Sequence, residues 1–66
     1  MIHFTQREIE ILELMTKGYG NTEIGNSIHI SMHTVKAHIR DILRKLDARN
    51  RTDAACLAIK NNIINS

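Results

Sequence analysis

Lys36 and Arg40 stand four residues apart, the interval that places side chains one above the other on an α-helix. Both side chains donate hydrogen bonds and accept none. An arginine fork matches O6 and N7 of guanine, and lysine reaches the same atoms. Ala37, beside them, is small enough to let a helix sit deep in a groove or touch a thymine methyl. These residues offer recognition of base edges rather than bond making. The chain suggests no Ser/His/Asp or Cys/His set and no glycine-rich phosphate loop, and 66 residues are too few to enclose a pocket of usual size. Cys56, within AACLAI, reads as a small buried hydrophobe rather than a nucleophile. His29 and His33 straddle an expected corner, while His33 and His38 are five apart and point to different sides of one helix. Zinc needs three or four converging ligands. No metal, cofactor or small-molecule ligand is therefore expected.

The residues that would carry this chemistry need a rod that also binds to a core. With Met32 as zero and about 100° per residue, Val35, Ile39, Ile42, Leu43 and Leu46 share roughly one third of the circle. His33, Lys36, Ala37, Arg40 and Arg44 share a different third. A helix from about Met32 to Leu46 or Asp47 thus has an apolar stripe and a basic stripe, and Ser31 can cap its free amides. Before it, Thr22 to Ile28 forms a brief helix with Ile24 and Ile28 on one face, and Asn21 is its expected cap. Gly25 permits close backbone approach at the corner, and His29 takes the position that wants positive φ. A short helix, a tight corner and a longer helix with a cationic outer face are what a helix-turn-helix reader requires.

Two further helices complete an all-α chain. Thr5-Gln6-Arg7-Glu8 is a capping box, with Phe4 and Ile9 placed as a hydrophobic staple. That helix runs to about Lys17, supplies Ile11, Leu12, Leu14 and Met15 for burial, and stops at Gly18. Asn50 and Asp53 suit the start of a fourth helix that extends to about Asn61 or Ile63. Its apolar residues, from Ala54 to Ile63, span roughly 260° of the wheel. Docking covers about half of that arc, which leaves an apolar strip for a partner, most economically a second copy.

Composition sets the frame. The 66 residues make a single domain, and one cysteine excludes a disulfide within the chain. No apolar run approaches the roughly 20 residues that span a bilayer, and no signal-peptide pattern opens the chain, so a cytoplasmic, nucleoid-associated protein without a membrane partner is expected. The net charge of +2 is modest, but its distribution is uneven. Glu8, Glu10, Glu13 and Glu23 come early, whereas Lys36, Arg40, Arg44, Lys45, Arg49 and Arg51 follow in a stretch whose acids are Asp41 and Asp47.

In FTQREIEIL, GYGNTEI, ISMHTVKAHIRDILRKL and ARNRTDAACLAI, the chain resembles the LuxR-type (GerE-like) helix-turn-helix domains of bacterial transcription regulators. The likeness runs from Phe4 to about Ile64 and rests on Thr5 with Glu8, Gly18, Ile24, Ile30-Ser31, Thr34-Val35-Lys36, His38, Leu43, Lys45-Leu46 and Arg51-Thr52. It implies a four-helix domain with a three-helix core and a C-terminal dimerisation helix. It also implies promoter binding and regulation of transcription, with RNA polymerase as a candidate further partner. Lys36, Ala37 and Arg40 match the residues such domains present to base edges. Asn21, Thr22, Thr34, Arg44 and Lys45 resemble phosphate-contacting positions, and Ser31, His33 and His38 lie close enough on the same elements to join them. Cys56, Leu57, Ile59, Lys60 and Ile63 fall where the fourth helices would pair. Gln6 stands where proline is common, Gly25 where alanine is usual and His29 where glycine is usual.

Arg49 and Arg51 are expected to meet phosphates or solvent, which supplies affinity rather than sequence choice. The reading is sequence-specific binding of double-stranded promoter DNA by a homodimer, with half-sites about one helical turn apart. The alternative is a protein-interaction module acting through the apolar fourth helix on another regulator. Titration against random duplex at low salt separates them, because only the first requires Lys36 and Arg40.

Overall fold

A computed structural model describes residues 3–64 of the chain. Four helices follow one another: α1 (Gln6–Thr16), α2 (Asn21–Ile28), α3 (Met32–Leu46) and α4 (Arg51–Lys60). No strand occurs among the described residues. They form a body of 28 × 21 × 20 Å. α1 and α3 each pack on all three other helices, whereas α2 and α4 do not pack on each other. Ile11, Leu12, Ile24, Val35, Ile42, Ala54 and Ala58 are completely buried, with Met15, Ile39 and Ile64 close to it. Complete burial of one such branched aliphatic side chain contributes about 1.5–3 kcal/mol. The apolar stripe of α3 is therefore the centre of the core, and its basic stripe is forced outward.

Each helix starts by a device readable in its sequence, with one exception. In α1 the Thr5 hydroxyl accepts from the Glu8 amide at 3.1 Å, and Glu8 Oε1 accepts from the Thr5 amide at 2.9 Å. Ser31 Oγ accepts from the Thr34 amide at 3.1 Å, and Asn50 Oδ1 from the Asp53 amide at 2.9 Å. The exception is α2, where Gly20 and not Asn21 is the cap. Glycine has no side chain to offer. Instead the Glu23 carboxylate reaches back to accept from the Gly20 amide at 2.8 Å. Asn21 is the first helical residue, and its side chain serves elsewhere.

All four helices end alike. Gly18, His29, Asp47 and Asn62 have φ of 85°, 60°, 54° and 58°. In each case the following amide turns back to a carbonyl of the last helical turn: Tyr19 to Leu14, Ile30 to Gly25, Ala48 to Leu43 and Ile63 to Ala58. This is the left-handed helix stop, usually made with glycine. The stop at Asn62 corrects the expected extent of the fourth helix. α4 closes at Lys60, so Ile63 does not continue its face, and Ile64 folds back to be 6% exposed.

Gly25 is buried at the α2–α3 corner. A Cβ built there would lie 2.6 Å from the Ile30 carbonyl oxygen and 3.6 Å from Val35 Cγ2. The corner is as tight as its sequence suggests.

Candidate nucleic-acid interface

The exposed side of α3 is built by its own periodicity. Val35, Ile39 and Ile42 are driven inward, and Lys36, Arg40 and Arg44 consequently emerge on the surface with His33 and Thr34. Ala37 between them is half-buried. Lys36 and Arg40 form no ion pair or side-chain hydrogen bond among the described residues. Arg44 Nη1 lies 3.7 Å from Asp41 Oδ1, and with its side chain 74% exposed that pair is weakly held. The surface therefore presents uncommitted cationic donors along one flank of a rod.

Polar groups at the corner frame this flank. Ser31 and Thr34 hydroxyl oxygens are 2.9 Å apart. One hydroxyl proton is used between them, which leaves the other free to donate outward. Thr22, one residue into α2, is exposed, and its hydroxyl donates to Met32 Sδ at 3.6 Å. His38 is half-buried on the flank opposite the Lys36 side of the apolar stripe.

Two cations, Lys45 and Arg51, have structural partners instead. Lys45 Nζ donates to Glu8 Oε1 at 2.6 Å and to the His3 carbonyl at 3.0 Å, and it sits 5.5 Å from the centre of the Phe4 ring. It ties α3 to the beginning of α1. On the helical wheel Lys45 falls outside the basic third, a signal that it faces another partner, although Glu8 lies too far along the chain to be identified from sequence.

Sequence places Arg51 against phosphate or solvent; in the structure its guanidinium is instead engaged within the fold. Nη1 donates to Asn21 Oδ1 at 2.7 Å and Nη2 to the Tyr19 carbonyl at 2.8 Å. A cation in the first turn of a helix opposes the helix dipole, which was the available hint of a dedicated partner. Asn21 is half-buried, and its amide orientation is fixed, because only the oxygen can accept from Arg51. Arg49 remains largely in solvent, with Nε 3.6 Å from Asp53. Asp53 accepts from the Arg49 amide at 2.9 Å, and this bond, helped by the Arg49 charge, lowers its pKa against the opposing effect of desolvation.

On α4 the outward line is Thr52, Cys56 and Lys60, all exposed. The buried-hydrophobe reading of Cys56 is thus corrected: Ala54 and Ala58, not Cys56, occupy the side facing the core. Leu57 and Ile59 flank the line and are half-buried, as is Ile63 beyond the helix. The expected apolar strip is accordingly narrower than the wheel implies, because α4 sinks in on its alanines. No helix among the described residues is long and apolar enough to cross a membrane.

Comparison with known proteins agrees with this four-helix fold. The profile of the family described as "Bacterial regulatory proteins, luxR family" matches residues 3–58. Response regulator protein VraR of Staphylococcus aureus is 48% identical over 60 residues, which covers 91% of this chain and 29% of VraR. The proteins of the same name in Staphylococcus saprophyticus and Staphylococcus epidermidis match to the same extent. Among solved structures, the response regulator ChrA of a heme-sensing two-component system superimposes with a TM-score of 0.93 at 36% identity, over 97% of this chain and 32% of ChrA. The chain therefore spans about three-tenths of the length of these relatives.

Proposed function

Because the chain belongs to the luxR family of bacterial regulatory proteins, a family of DNA-binding transcription regulators, we propose that α3 reads the major groove and that two copies bind one two-fold related promoter site. The observation that carries this reading is the exposed pair Lys36 and Arg40, free of partners within the described chain, on a helix anchored through its opposite side. Arg40 donates to guanine O6 and N7, Lys36 reaches the adjacent acceptors, and Ala37 lets the helix approach. Thr22, Ser31, His33, Thr34 and Arg44 border the same flank and contact phosphates, which fixes register without selecting sequence. Asn21 takes part through its amide nitrogen, since its oxygen is already used. His38 approaches phosphate from the edge. Lys45 joins them only by giving up Glu8, so its contribution to affinity is the smallest. The two copies meet along α4, through Cys56 and Lys60 with Leu57 and Ile59 at their sides and Ile63 beyond the helix.

Selection of bound duplexes from a random library gives motif, symmetry and spacing together. On the selected duplex, Arg40→Ala weakens binding by about 1–3 kcal/mol and relaxes preference at one base pair. Equal weakening on selected and random duplexes would exclude a base-reading role for Arg40.

A further inference from the structure

Met32 is the one large hydrophobic residue among those described that is exposed rather than buried or half-buried, at 39%. It is the first residue of α3. Successive side chains at 32, 36 and 40 climb the same flank, each turned by about 40° from the last. Met32 therefore stands one turn before Lys36 and two before Arg40. Its sulfur accepts from the Thr22 hydroxyl at 3.6 Å, so the thioether is held across the corner between the beginnings of α2 and α3 rather than drawn into the core.

A helix-turn-helix protein contacts base edges with the N-terminal part of its recognition helix. The major-groove edges offer donors, acceptors and one methyl group, the C5-methyl of thymine. An apolar, polarisable side chain at that end of the helix, with its weakly accepting sulfur already turned to Thr22, finds its best complement on those edges in the methyl. We infer that Met32 is a specificity-determining residue that packs its thioether against the C5-methyl of a thymine. That thymine flanks the base pair read by Lys36, on the side away from Arg40. The inference rests on the assignment of α3 to the major groove. Contact with sugar or phosphate would be indifferent to sequence and to that methyl group.

Deoxyuridine in place of the thymine removes the methyl and leaves base pairing unchanged. Duplexes selected by the wild-type chain are expected to carry thymine at this position. Replacing it by deoxyuridine in both half-sites should weaken wild-type binding about three- to tenfold per methyl removed. Met32→Gln and Met32→Ala, checked by their thermal melting, should bind the thymine and deoxyuridine duplexes equally. Should neither variant fold, the wild-type comparison decides alone. Absence of selected thymine, equal wild-type binding to the two duplexes, or a methyl effect that survives in both variants would each overturn the inference. A chain that selects no sequence at all would overturn the groove assignment itself, and this inference with it.

Discussion

Glu8 holds a negative charge that its surroundings would otherwise expel. The residue is only 4% exposed, and burial by itself raises a carboxyl pKa. The hydrogen bond from Lys45, the amide of Thr5, the charge of Lys45 and the Thr5 hydroxyl together outweigh that effect and hold the group below its usual 4.5. Because the folded value is the lower one, the unfolded chain takes up the proton first on acidification. The stabilisation is present in full above the ordinary value and is lost as pH falls through the folded one. Lys45 is partly exposed, so solvent moderates the pair. Glu8→Gln should cost about 1–3 kcal/mol at neutral pH, in the range of hydrogen bonds to charged groups. Urea unfolding at about pH 7 and about pH 3 provides the check: the gap between wild type and variant should close in acid. A gap of constant size would mean that the carboxylate's charge contributes nothing.

At the scale of the element, the corner between α2 and α3 decides how α3 is aimed. Gly25 lets the Ile30 carbonyl come to where a Cβ has no room. Gly25→Val inserts a branched side chain into that contact and is expected to lower stability by about 1–3 kcal/mol, measured by denaturant unfolding. Gly25→Ala recovers about 1 kcal/mol of helix propensity and should lose less. Val equal to wild type would show that the corner opens freely. Much of this element structure was legible in the sequence, because it is written over short spans. The capping box at Thr5 and Glu8, the stop at Gly18, the positive φ of His29 and the two stripes of α3 each depend on residues within one or two turns. The stops at Asp47 and Asn62 were not legible. Aspartate and asparagine tolerate the left-handed region but do not demand it, and Ile63 continued the apolar spacing of α4 past the true end. The partners of Lys45 and Arg51 were hidden for a different reason. They join residues 30 or more positions apart. Of the candidate site, the basic flank and the position of Lys45 outside it were visible by periodicity, whereas the partner that Lys45 takes, Glu8, required the packed structure.

At the scale of the molecule, α2 and α4 do not pack on each other, and Arg51 spans the gap. The helix proposed for pairing is thereby fastened to the helix that borders the basic flank. The single thiol provides a direct test of pairing, since Cys56 lies on the outward line of α4. Its reaction with a bulky maleimide should slow several-fold when the chain sits on a duplex with two half-sites, but not on one with a single half-site. Equal rates would place the pairing surface elsewhere on the molecule.

The four backward-turning amides have a kinetic meaning as well. Each closes its helix with a bond to a residue five positions back, so the stop itself is a local contact. Helices this short gain their stability on docking, but the bonds that delimit them bring together no distant parts of the chain. Helical chains rich in local contacts fold in microseconds to milliseconds, and a temperature-jump or stopped-flow measurement on this one is expected to fall in that range.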